Sequence, residues 1–277
     1  MPKTIKQLQS FSLMAVLLVA WFAVTSMGLV PQYMLPSPQS VAKVFVDDFF
    51  LLAINLKVTL FEAMCGMIFA LVCAFVIAVI MDANQFLKAS ISPIITLSQT
   101  MPVIALAPLL VLWLGYGILP KIALVFVTCF FPICAVLVGS FAAADIDIEK
   151  LFVSMGSTRF QIYRYYKLPA ALGDFFSSLK VSVTYSLISA VVAEWLGGNA
   201  GLGVYMIRVR KTYSFDKMFA AIVLIAAVSL LLIRLVNVIE RYVMPYIHFA
   251  AQTPTAALPK TKGNLKPKNN IYGTSKY

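Results

Sequence analysis

Charge is what this sequence has least of. Only 12% of its 277 residues are Asp, Glu, Lys or Arg, while 61% are hydrophobic, and a soluble domain carries about 25% charged residues. A soluble globular fold is excluded. Residues 63–81, 89–120 and 122–144 contain no charged side chain, and a bilayer's hydrocarbon core takes about 20 apolar residues to cross. Because these runs are continuous and do not alternate over segments of about ten residues, they read as helices and not as strands of a barrel. The expected fold class is all-α, a polytopic membrane protein.

Other absences exclude whole chemistries. There is one histidine, His248, and it falls beyond the last apolar run; no HExxH or GxSxG occurs, so neither a metal site nor an enzyme's catalytic constellation is expected. The glycine-rich stretch 197–203 (GGNAGLG) has no Gly-Lys-Ser/Thr. It is expected to be a turn at a membrane boundary, not a nucleotide site. The four cysteines, Cys65, Cys73, Cys129 and Cys134, sit in apolar runs without a CxxC pair and read as small buried hydrophobes.

Positive charge is in excess, 22 Lys and Arg against 11 acids. Lys260, Lys262, Lys266, Lys268 and Lys276 fall in the segment 251–277, read as a disordered basic tail drawn to anionic lipid. Nucleic-acid binding is not expected, since that tail has only Tyr272 and Tyr277 for stacking. Residues 1–250 read as the transmembrane domain, with spans at about 11–30, 59–81, a third run broken by Pro93, Pro102 and Pro108, then 122–144, 179–196 and 218–239. An amphipathic helix is expected at 40–50, and the 195–217 segment is left as an outer or partly re-entrant loop. With six spans and the N-terminus inside, fifteen basic residues fall on the inner side and seven on the outer, which places both termini in the cytoplasm.

The segment 145–178 is the longest internal hydrophilic stretch. Gly156 suits a helix end, Thr158 and Gln161 suit a capping box for the next helix, and Pro169 suits its stop. Phe160, Tyr163 and Tyr166 recur every third residue and predict an aromatic face, with Arg159 and Arg164 pointing elsewhere. So short a helix needs something to pack against: its own protein, lipid or a partner. Polar residues in mid-span are costly in hydrocarbon and tend to face a bundle interior or water. Thr96, Gln99, Tyr185 and Ser189 are therefore candidates for lining a pathway, or for helix-to-helix hydrogen bonds. Glu194 and Trp195 meet the glycine-rich turn; they suit either a bound aminopyrimidine or an interfacial anchor in which Glu194 pairs with Arg208. An ion-coupled secondary transporter would need more intramembrane ionisable residues than Glu62 and Glu194.

The run from Gly156 through Leu168, Pro169 and Ala171 resembles the EAA loop of the permease subunits of bacterial ATP-binding-cassette (ABC) importers. That pattern is Glu-Ala-Ala, three residues, Gly, nine residues, Ile, one residue, Leu-Pro. Gly156, Leu168 and Pro169 match in spacing; Lys150, Leu151 and Phe152 stand at the Glu-Ala-Ala positions and Tyr166 at the Ile. The runs 35–40, 102–117 and 194–203 resemble the nitrate, sulfonate, taurine and thiamine-precursor branch, and 98–102, 193–197 and 219–222 resemble importers of the pyrimidine precursor of thiamine. The resemblance implies the type I importer permease fold in a bacterial inner membrane, working as a homodimer with two copies of an ATPase and an extracellular or periplasmic binding protein. ATP and Mg would be used by that ATPase, with no cofactor on this chain. It also implies an ATPase-coupling site at Gly156, Arg159, Phe160, Tyr163, Arg164, Leu168 and Pro169, with Phe160 and Tyr163 buried against the ATPase. Sulfonate or taurine, nitrate and riboflavin are the alternative substrates.

Overall fold

The computed structural model describes residues 3–31 and 33–244; His248 and the basic tail lie outside them. The chain divides into two units, Met1–Glu240 and Arg241–Tyr277. Among the described residues the regular structure is all helical: α1 (Lys3–Ser26), α2 (Pro38–Asp47), α3 (Phe49–Ala83), α4 (Gln85–Ser98), α5 (Val103–Leu114), α6 (Leu119–Ala142), α7 (Ile146–Ser154), α8 (Arg159–Ile162), α9 (Leu168–Gly197), α10 (Leu202–Lys211) and α11 (Phe215–Val243). The helices α3, α6 and α11, and the run Arg159–Gly197, are long and apolar enough to cross a bilayer; α4 and α5, bent by 104°, make a fifth crossing if taken as one broken span. The remaining expected span is α1, whose described apolar part, Ala15–Ser26, is shorter.

Lipid tails are as apolar as leucine, so helices in a membrane associate through close packing and not through escape from water. The sequence provides for this on α3. Gly66, Ala70, Ala74 and Ala78 repeat every fourth residue and are buried, forming a smooth stripe along which α6 lies. A Cβ on Gly66 would come within 2.6 Å of the Val125 side chain. Against α6, and also directly against α3, packs α9, likewise faced with small residues: Ser178, Ser182, Ser186, Ser189 and Ala190 are buried. The centre of the protein is therefore the α3–α6–α9 layer, against which α5 and α10 pack.

Two expected boundaries move. The helix α3 starts at Phe49, well before residue 59, because Asn55 and Thr59 bury their polar groups against other parts of the protein and so do not mark an end. The fifth span begins at Leu168, since Pro169 occupies the first turn of α9 and does not end the preceding helix. A π-helical turn, Tyr163–Lys167, joins α8 to α9, and its closing bond runs from the Leu168 N–H to the Tyr163 carbonyl. A proline has no N–H to give to an α-helical partner, and a widened turn just before it lets one continuous helix accommodate the ring. Of the three prolines in the third run, Pro93 and Pro108 lie inside helices, and the chain breaks only at Pro102, over residues 99–102.

Candidate functional site

Opposite ends of the α3–α6–α9 layer carry two polar clusters. The rise of 1.5 Å per residue puts about 30 Å between Glu62 and Asp82 on α3, the thickness of a bilayer's hydrocarbon core. At the Asp82 end sits the loop 145–178. The α7 helix is capped by the Asp145 carboxylate, which accepts from the Asp147 N–H at 2.8 Å. It ends at Gly156, whose φ of +81° favours glycine. The expected capping box is present: the Thr158 N–H donates to Gln161 Oε1 at 2.7 Å, and the Gln161 N–H to Thr158 Oγ1 at 3.4 Å.

The aromatic residues of this loop divide between two tasks. The Tyr163 hydroxyl donates to the Asp82 carboxylate, and its ring meets Phe141 edge-on with centroids 6.0 Å apart. Lys167 lies 2.8 Å from Asp82 Oδ2 and 3.3 Å from Glu149 Oε2, while Tyr166 stacks on Phe152 and accepts from the Asp145 N–H at 2.7 Å. The single aromatic face expected from the spacing is thus corrected: Tyr163 packs onto α3 and α6 and Tyr166 onto α7, while Phe160 is left at 76% exposure. Arg159 and Arg164 are exposed beside it, and Leu168 and Pro169 are half-buried where the loop enters α9. Ile146, Leu151, Val153 and Met155, on and just after α7, are further exposed apolar side chains of this loop. Lys167 and Asp82 were not singled out from sequence; the signal was a lone acid ending an apolar span.

At the Glu62 end, Glu194 is 1% exposed and caps α10. One carboxylate oxygen accepts from the Thr59 hydroxyl at 2.7 Å, and the other accepts from the Gly203 N–H. Thr59 Oγ1 in turn accepts from the Leu202 N–H at 2.8 Å, and Asn55 Oδ1 from the Gly201 N–H at 3.0 Å. Three donors of the first turn of α10 are thereby satisfied by side chains of α3 and α9, with a carboxylate at the positive end of the helix. Glycine is required here: Gly201 has φ +119°, and a Cβ on it would overlap the Glu194 carboxylate. The expectation that Glu194 faces a bound solute is therefore corrected, since its oxygens are engaged by the protein itself. Nor does it pair with Arg208, which donates to the Asn199 carbonyl at 2.7 Å. Beside it, Lys121 Nζ lies 2.6 Å from Glu62 Oε1, both side chains buried.

The remaining candidates separate. Gln99 and Tyr185 come together, with Ser98 and Thr128, on a cleft of about 400 Å³ beside the α4–α5 break. Thr96 is exposed on α4, and its hydroxyl donates to the Ser92 carbonyl at 3.1 Å. Ser189 is buried inside the helix layer. Trp195 is half-exposed at the end of α9, away from the Gln99 cleft. The α10 helix was not foreseen, although Leu202, Tyr205, Met206 and Val209 follow helical spacing and are all buried.

Residues 66–245 match the family of binding-protein-dependent transport system inner membrane components. The chain belongs to this family. It is a permease of an ABC importer for a small solute and not an enzyme, a multi-pass component of the inner membrane that works with an ATPase and a binding protein. A probable ABC transporter permease of Haemophilus influenzae is 34% identical over 82% of this chain and 93% of its own length. The formylaminopyrimidine transport permease protein of Halalkalibacterium halodurans is 29% identical over 89% of this chain and 98% of its own. For the taurine transport system permease protein of Escherichia coli the identity is 26%, over 86% and 89%. Among solved structures, an inward-facing methionine ABC transporter superposes with a TM-score of 0.63 at 20% identity, over 71% of this chain and 98% of that one. That likeness establishes the type I importer permease fold.

Proposed function

We propose that the solute is a small planar heterocycle, the pyrimidine precursor of thiamine, carried by a homodimer of this chain with two ATPase copies that bind ATP and Mg. The Asp82 end and both termini face the cytoplasm in this reading, and the Glu62 end faces the binding protein. The observation that carries the coupling is the division of labour in the 145–178 loop. Phe160 and the loop's other exposed apolar side chains are presented outward for the ATPase, and Arg159 and Arg164 flank Phe160. Behind them Tyr163 and Lys167 hold Asp82 of α3, Tyr163 touches Phe141 of α6, and the loop continues without a break into α9. Movement of Phe160 with a closing ATPase would pull on the three central helices together and shift the population between inward- and outward-facing packings. Gln99 and Tyr185, at the break between α4 and α5, would line the path; irregular backbone at membrane depth is tolerated where it borders a cavity.

The likeness to the formylaminopyrimidine permease over nearly its whole length supports the substrate, with the sulfonate, taurine, nitrate and riboflavin importers as the other branch members. Two of the four basic residues of the 208–217 segment are held by the protein itself, Lys217 by Asp48 at 2.7 Å and Arg208 by the Asn199 carbonyl. The test is reconstitution: the chain co-purified with its ATPase and supplied with the binding protein should take up labelled formylaminopyrimidine when ATP is present. Uptake of taurine or nitrate in its place would overturn the substrate, and failure to retain any ATPase would overturn the coupling.

A further inference from the structure

A second cleft, of about 420 Å³, lies between the end of α9, α10 and the start of α11. It is lined by Trp195, Met206, Ile207, Arg210, Met218 and Ile222. It belongs to the Glu62 end of the molecule and is separate from the Gln99 cleft, yet one face of α9 joins the two. Val181, Tyr185, Ile188 and Trp195 are spaced i, i+4, i+7 and i+14 and are all about half-exposed, a single stripe of the helix. Along it the rise per residue separates Tyr185 from Trp195 by about 15 Å.

The lining is chemically selective. It offers one indole, two thioethers and one guanidinium, and Arg210 enters none of the ion pairs formed among the described residues. An indole face stacks on flat rings, thioether sulfur packs against aromatic edges, and a guanidinium gives planar, paired donors to carbonyl or ring-nitrogen acceptors. A small tetrahedral or trigonal anion would use the guanidinium alone. Trp195 and Arg210 are also held in register, because the neighbouring Glu194 carboxylate binds the first turn of α10 and so fixes that helix against the end of α9.

We propose that the cleft between Trp195 and Arg210 is a second station on the solute path, which receives a planar heteroaromatic ring stacked on the Trp195 indole with its acceptor atoms on the Arg210 guanidinium. This rests on the importer reading above. The ring would enter at this station and move along the α9 stripe toward Tyr185.

The test uses the assembled transporter in membrane vesicles, with Ile207→Cys as a reporter and the parent chain as the background control. A water-soluble maleimide should label Cys at 207, and millimolar formylaminopyrimidine should slow that labelling several-fold while taurine does not. The protection should survive Trp195→Phe and be lost in Trp195→Ala and in Arg210→Gln. The proposal is overturned if residue 207 is never labelled, if formylaminopyrimidine gives no protection, or if taurine protects equally and still does so in Trp195→Ala. ATP-driven uptake measured on the same vesicles separates the two readings: uptake that persists with an unprotected cysteine removes this station and leaves the importer standing.

Discussion

Buried charge at the Glu62 end has the sharpest consequences for single residues. Two carboxylates and one ammonium lie beneath the surface there, and the only direct ionic partner of Glu62 among the described residues is Lys121. Removing one member of a buried pair strands the other, at a cost of about 3–5 kcal/mol, whereas replacing both by apolar residues of similar size is often neutral. Lys121→Met is therefore expected to lower the thermal midpoint of the solubilised permease sharply, and adding Glu62→Leu should restore most of the loss. A double variant no more stable than Lys121→Met would mean that the pair is not what the site depends on. Gly201→Ala is expected to cost at least about 1–3 kcal/mol, since a side chain at φ +119° is strained and its Cβ overlaps Glu194. Glu194→Gln keeps one acceptor oxygen where two are used, so lower assembly and stability should precede any change in uptake per assembled complex. Full stability with selectively lost uptake would return Glu194 to the solute path.

Among the elements, the 145–178 loop and α10 show what can be read from a sequence and what cannot. Gly156, Thr158 and Gln161 act locally, through a left-handed backbone position and a reciprocal cap, and their structure follows from their own spacing. Tyr163 does not. Its partners are Asp82 at the end of α3 and Phe141 near the end of α6, which are distant in sequence. Periodicity counted at 3.6 residues per turn cannot register such contacts. The α10 helix escaped for a related reason: the glycines before it read as a turn, but Gly201 is small because the Glu194 carboxylate of α9 lies against its backbone. Long-range polar contacts leave no periodic trace, whereas the small-residue stripe of α3 does. Loosening the loop from α3 by Tyr163→Phe should preserve membrane insertion and ATPase binding while lowering uptake per ATP hydrolysed. Unchanged coupling would show that the Asp82 contact is not part of the transmission route.

For the whole molecule, the arrangement amounts to two ends of one rigid helical layer. One end fixes α10 with a buried carboxylate cap and presents Trp195 and Arg210; the other ties the exposed Phe160 to α3, α6 and α9 through Tyr163, Lys167 and Phe141. About 30 Å of apolar helix separates them. A displacement at the Phe160 end can reach the other because the helices between are packed on glycine, alanine and serine, with little side chain to absorb a shift. The measurement that bears most directly on this account is the ratio of solute taken up to ATP hydrolysed in proteoliposomes holding the Phe160→Asp permease with its ATPase and binding protein. A charge placed in an apolar contact is costly, so ATP hydrolysis is expected to continue without solute-stimulated control while uptake falls to background. Uptake and its stimulation of hydrolysis both at the parent level, in a variant that assembles normally, would contradict the assignment of this loop as the point where the permease is driven.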